Sequence, residues 1–233
     1  MKIKLLCIIA MLCSMTAIAQ KPAVKEAEIS IEDIKTVLEA NEIFLYSFDM
    51  TEYNEEVYSI IPFVEEYENG VLNEKSLVRA SLGMNKTDVR KFDARADMWR
   101  ERYGMKRHQN IHTLLNKVGI YLYPVSDSVT KLTFNVENLG SFGIPINKKK
   151  YGKGPQAENH ARYSHRPFKL VPQEHAEIIH IPLVMVGTFW YDERKSVYRF
   201  CGETEIDPER TNDILKNCPH YFIIGIELHE GYL

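Results

Sequence analysis

At 233 residues, 45% hydrophobic and 26% charged, the chain is long enough for one large core and too apolar for intrinsic disorder, a collagen-like repeat or a coiled-coil rod. Its formal charge of −3 is too mild to point to nucleic acid or an anionic membrane surface from the total alone.

Residues 1–19 read as a secretory signal. Lys2 and Lys4 precede an apolar run from Leu5 to Leu12, and Ala17-Ile18-Ala19 supplies a small-residue cleavage site before Gln20. The run is too short to span a bilayer, and Cys7 and Cys13 follow bulky Leu6 and Leu12, so neither fits a lipid-attachment box. The expected working chain, 20–233, is periplasmic or exported, with a net charge of −5. Its later apolar run, 178–186, is interrupted by His180 and Pro182, so no membrane span is expected. Cys201 and Cys218 remain, and an even pair in an oxidising compartment predicts a disulfide.

After a flexible arm over 20–29, Ser30 with Asp33 marks a helix start, and Ile31, Ile34, Val37 and Leu38 recur at helical spacing. Strands are predicted over 43–48 and 57–64. Asn69-Gly70 signals a hairpin into Val71 and Leu72, and Pro62 pushes the first strand toward an edge or a bulge. A long helix is predicted from Thr87 to Gly104 on Val89, Phe92, Ala96, Trp99 and Tyr103. A second runs from Ile111 to a stop at Gly119. From Ile120 the period becomes two, giving a hairpin over 120–136 about Ser126-Asp127-Ser128. Residues 140–172, with four glycines and four prolines, read as a long basic loop. A hairpin over 178–201, a helix from Asp207-Pro208 to Lys216 and a strand over 221–228 complete a single α+β domain. It is a mostly antiparallel sheet with helices grouped on one side.

No catalytic motif emerges. His108 and His112 are four apart, but Gln109 stands where a zinc protease carries glutamate. Gly140-Ser141-Phe142-Gly143 is out of frame for a nucleophile elbow, and neither a phosphate-binding loop nor a dinucleotide fingerprint is present. No metal ligand set and no cofactor are therefore expected. Charge is distributed unevenly instead. Residues 49–74 hold eight acids and no Lys or Arg, whereas 147–172 carry seven basic residues against Glu158. Lys148, Lys149, Lys150, Arg162 and Arg166, with Tyr151, Tyr163 and His165 among them, suit an anionic glycan or envelope component through ion pairs and stacking. Alternatively, this stretch lies over the acidic segment of its own chain.

The Ala-Ile-Ala-Gln junction resembles secretory signals common among Bacteroides-type gut bacteria. Asp127-Ser128-Val129 resembles the O-glycosylation tripeptide of their exported proteins. That resemblance, to an uncharacterised secreted family of this size, implies a glycan on Ser128 and carries over no catalytic residue. The expected function is non-catalytic binding of an anionic glycan or envelope component. The alternative is a hydrolase of carbohydrate or peptidoglycan with a His/acid site assembled by the fold.

Overall fold

A computed structural model describes residues 28–150, 162–200 and 202–232. The chain divides into two compact units, 1–37 and 38–233. The predicted signal and most of the arm lie outside the described residues. At the described end of the first unit, Ser30 and Asp33 cap each other: the Asp33 N–H donates to Ser30 Oγ (3.1 Å) and the Ser30 N–H to Asp33 Oδ2 (2.8 Å). They open α1 (Ile31–Ala40), whose residues are not buried.

Besides two two-stranded sheets, β6 (Lys86–Asp88) with β7 (Ile111–Thr113) and β13 (Trp190–Asp192) with β14 (Val197–Arg199), the second unit contains two large antiparallel sheets. The larger takes the order β11 (Tyr163–Pro167), β12 (Ile178–Thr188), β15 (His220–Glu230), β2 (Tyr58–Glu68), β3 (Val71–Leu72), with β4 (Val78–Arg79) and β5 (Gly83–Met84) also pairing β2. The smaller runs β1 (Phe44–Asp49), β8 (Lys117–Ser126), β9 (Val129–Val136), β10 (Gly140–Asn147). Period-two alternation explains the smaller sheet: Val118, Ile120, Leu122, Leu132, Phe134 and Val136 are buried, while Tyr121, Tyr123, Thr133 and Asn135 face away. The inward set packs against Ile60, Val64, Ile181, Phe222, Ile224 and Ile226 of the larger sheet.

The larger sheet is covered on its other face as well. There Phe63, Met185, Tyr221 and Ile223 pack against Phe168, Phe200, Ile206, Ile214 and Leu215 from the connecting segments. Double coverage is why 221–228 reads as a nearly continuous apolar run: every residue from His220 to Leu228 is buried. Gly225 is required where β15 crosses this face. A Cβ there would lie 2.3 Å from the Ile181 carbonyl oxygen and 2.5 Å from the ring of its cross-strand partner Phe63. Phe63 continues over the glycine to stack on His180, with centroids 4.2 Å apart.

Several expectations need correction. The helix over 87–104 is broken. Residues Lys86–Asp88 form β6, Asp88 rather than Thr87 caps a 3-10 turn over Val89–Arg95, and Asp93 adopts φ 48° before α2 (Ala96–Arg102). The apolar spacing that mimicked one helix instead builds a ring ladder, Phe92–Trp99–Tyr103–His112. The second helix is absent: Ile111–Thr113 is β7, paired with β6, and Gly119 lies within β8 beneath the Tyr121 ring. His108 and His112 therefore share no helix face. Residues 140–172 are not one loop, since β10 and β11 occupy both ends. β2 is interior, and Pro62 falls between its short pairings with β4 and β5, so the missing N–H interrupts that side rather than making an edge. The helix predicted over 207–216 shortens to α3 (Asp213–Asn217). Grouped helices forming a layer are not seen among the described residues; the second sheet takes that place.

The expected disulfide is not seen among the described residues. Cys218 is a free thiol, buried over Gly187 and hydrogen-bonded toward the carbonyl oxygens of Thr188 (3.1 Å) and His220 (3.2 Å). Burial pushes its pKa up to about 12 despite those two hydrogen bonds. Cys201 lies outside the described residues.

Replacing Gly225 with Ala is expected to cost about 1–3 kcal/mol, because the blocking atom is backbone and cannot rotate away. Urea denaturation of the variant beside wild type measures it, and an unchanged midpoint would contradict the close approach.

Candidate functional site

A cleft of about 630 Å³ opens where the two sheets separate, beside Ile179, Ile181 and Leu183 of β12. Its position follows from strand lengths: β11 pairs with β12 only over Val184–Thr188, after a bulge at Leu183, leaving the earlier half of β12 without a described strand partner on that side. Phe48 and Met50, at the end of β1, complete an apolar floor. One wall is formed by residues 49–58 and carries Asp49, Glu52, Glu55 and Glu56; the other is formed by residues 169–175 and carries Lys169, Leu170, Val171 and His175.

One buried amide sets the acidic wall. Asn85, fully buried, accepts the Tyr58 N–H at Oδ1 (2.8 Å) and donates from Nδ2 to the carbonyls of Tyr53 (3.1 Å) and Glu56 (2.9 Å). Lys86 Nζ donates to the Glu55 carbonyl at 2.7 Å. These bonds satisfy the backbone of an irregular segment and leave its carboxylates pointing to solvent. Asp49 accepts from the Thr51 N–H (2.9 Å) and hydroxyl (2.7 Å), which hold its carboxyl below the usual range. Across the cleft mouth, Tyr58 Oη lies 3.3 Å from His175 Nδ1.

Two further charged clusters lie on β2 and β15, one on each face. On the inner face, burial favours a neutral His220, whose pKa is lowered. A neutral ring accepts the Tyr163 hydroxyl at Nδ1 (2.5 Å) and donates from Nε2 to Glu66 (2.7 Å). Lys149 pairs with Glu66 (2.7 Å) and with Glu68. Burial alone would raise the Glu66 carboxyl. Hydrogen bonds from Lys149, Ser76 and His220 and the Lys149 charge outweigh it and hold the pKa at about 2. Glu66, Glu68 and His220 could together hold a cation, and the Lys149 ammonium already touches both carboxylates.

On the outer face Glu227 accepts from Arg79 (2.9 Å), His180 (3.2 Å) and His229 (3.0 Å). Glu65 accepts from the Tyr67 hydroxyl (2.9 Å) and Arg210 (3.3 Å). Burial again opposes ionisation of Glu227, and its three donors again prevail, holding the pKa at about 2.

The basic residues singled out in the sequence do not converge. Lys148 pairs with Glu42 (3.7 Å), Lys149 with the inner acids, and Lys150 is exposed. β11 alternates, so Tyr163 and His165 face the inner core while Arg166 faces outward. His165 packs on Phe44 (centroids 3.8 Å apart) and bonds Tyr46. Arg166 donates to the carbonyls of Glu203 (3.0 Å) and Phe200 (3.2 Å). Burial, then the Arg166 charge, lowers the His165 pKa to about 4. Arg162 lies over the Phe189 ring. Tyr151, Lys153 and His160 lie outside the described residues. Ser128 is exposed at the turn between β8 and β9. Sequence reasoning missed Asn85, which no pattern distinguishes. It also missed Glu227, whose signal was a lone acid inside an apolar run.

The second unit is thus built on two large, packed antiparallel sheets with a lateral, acid-walled cleft. No curated protein and no solved structure matches it. A family model described as a domain of unknown function (DUF5041) matches residues 13–230, and the chain belongs to that family.

Two outcomes follow. Glu66 and Glu227 have folded pKa values depressed from 4.5 to about 2, so each stabilises the fold above pH 4.5, and that stability is lost as pH falls toward 2. Unfolding free energy should drop across that window, and Glu66→Gln with Glu227→Gln should be less stable at pH 7 and flatten the drop. Separately, Asn85→Ala should cost at least about 2 kcal/mol by leaving buried backbone groups unpaired, and amide exchange over 53–58 should quicken.

Proposed function

We propose that this protein is a non-catalytic binding protein, acting after export, whose ligand lies in the cleft between the sheet ends. The observation that carries the reading is an apolar floor of Phe48, Met50, Ile179, Ile181 and Leu183 beneath two polar walls, at a volume within the range of small-molecule sites, about 300–1,000 Å³. The acidic wall is set by Asn85 rather than by a ligand. Export is supported by the signal-like order of residues 1–19.

A hydrolytic reading rests on Glu227 lying between His180 and His229. It is the weaker reading on chemical grounds. A general acid working near neutrality needs a raised carboxyl pKa, and Glu227 is held at about 2 with its oxygens engaged by three donors. The expected anionic ligand has less support than before, because Lys148, Lys149 and Arg166 have intrachain partners.

The uncharged dye 1-N-phenylnaphthylamine should brighten on entering the cleft of the wild-type protein. Leu170→Asp with Val171→Asp, both on exposed wall positions, should abolish the signal without changing the unfolding midpoint. Equal brightening in wild type and variant would remove the cleft as the binding place.

A further inference from the structure

In the two charged clusters on β2 and β15 the carboxylates are matched: Glu65 with Arg210, Glu66 and Glu68 with Lys149, Glu227 with Arg79. Those on the cleft wall are not. Glu52, Glu55 and Glu56 are exposed and have no ion-pair partner among the described residues, and Asp49 beside them bonds only the neutral Thr51. Among the described residues lining the cleft, Lys169 is the one lysine or arginine facing four acids. Behind those acids lies the buried apolar floor, so the cleft joins a negative rim to a hydrophobic interior.

We infer that the cleft takes an organic cation, a primary ammonium carried on an apolar body, with the ammonium among Asp49, Glu52, Glu55 and Glu56 and the body on Phe48, Ile179 and Ile181. This rests on the cleft being the binding place and adds the ligand class. Electrostatics and burial favour the same molecule. An anion would meet like charge at the rim, and a small hydrated cation would leave the floor unused. The wall is held in place by backbone bonds to Asn85 and Lys86, so its carboxylates gather a cation without the segment first having to order.

A matched trio tests the class: octylamine, octanol and octanoate at pH 7, each below its aggregation limit, followed by amide shift perturbation of full-length protein. Octylamine should perturb residues 49–58 and 169–183 and bind about tenfold or more tighter than octanol, with octanoate weakest. That preference should fall to about one in Glu52→Gln/Glu55→Gln/Glu56→Gln, whose exposed positions leave the core intact, and should shrink in 1 M salt, where screening acts over about 3 Å. Octanol binding in the cleft as tightly as octylamine would overturn the cationic class while leaving the cleft reading standing. No perturbation of these residues by any of the three would overturn both.

Discussion

β15 is paired along both edges and buried on both faces, and the rest of the second unit is arranged around that constraint. A strand so placed has no solvent for its backbone or its side chains, so two neighbouring strands must match its length and two layers must cover it. β2 and β12 supply the first, each with eleven residues. The smaller sheet covers one face, and the segments carrying Phe168, Phe200 and Ile206 cover the other. Where the covering gives out, at the ends of β15 and β2, acids and histidines replace apolar residues. Each then requires a donor from a distant part of the chain.

That requirement explains what was readable in the sequence. Period-two patterns identified β8 and β9, because their inward residues meet a flat apolar surface, whereas β12 and β15 were legible as apolar runs, because most of their residues are covered on both faces. The Asn69-Gly70 turn was readable because both residues take positive φ, 50° and 78°. The helix over 87–104 was misread because rings at three- and four-residue steps also suit a stack crossing a bent backbone. Nothing local announces the reversal at Asp93. Gly119 looked like a helix stop, but it makes room for the Tyr121 ring.

The site was less legible than the fold. A run of acids and a run of lysines were visible, and Lys149 does pair with the acidic run, on Glu66 and Glu68. Strand alternation, however, divides both runs. Glu65 and Glu66 face opposite ways on β2, as do His165 and Arg166 on β11. Net charge along a sequence therefore mixed groups that never meet. The cleft arises from a difference in strand length between β11 and β12, a property of pairing that no single segment encodes.

Asn85 makes one wall of that cleft dependent on a residue outside it. Its amide ties Tyr53, Glu56 and Tyr58 to the strand pairs beyond, while its own backbone N–H donates to Tyr58 and its carbonyl accepts from Leu114. Substitutions among the wall's exposed side chains can thus change the charge at the cleft mouth while its backbone shape stays the same. In the proposed binding role, recognition and scaffold are separable: selectivity would drift across Glu52, Glu55 and Glu56 at little cost in stability, so long as one buried amide is kept.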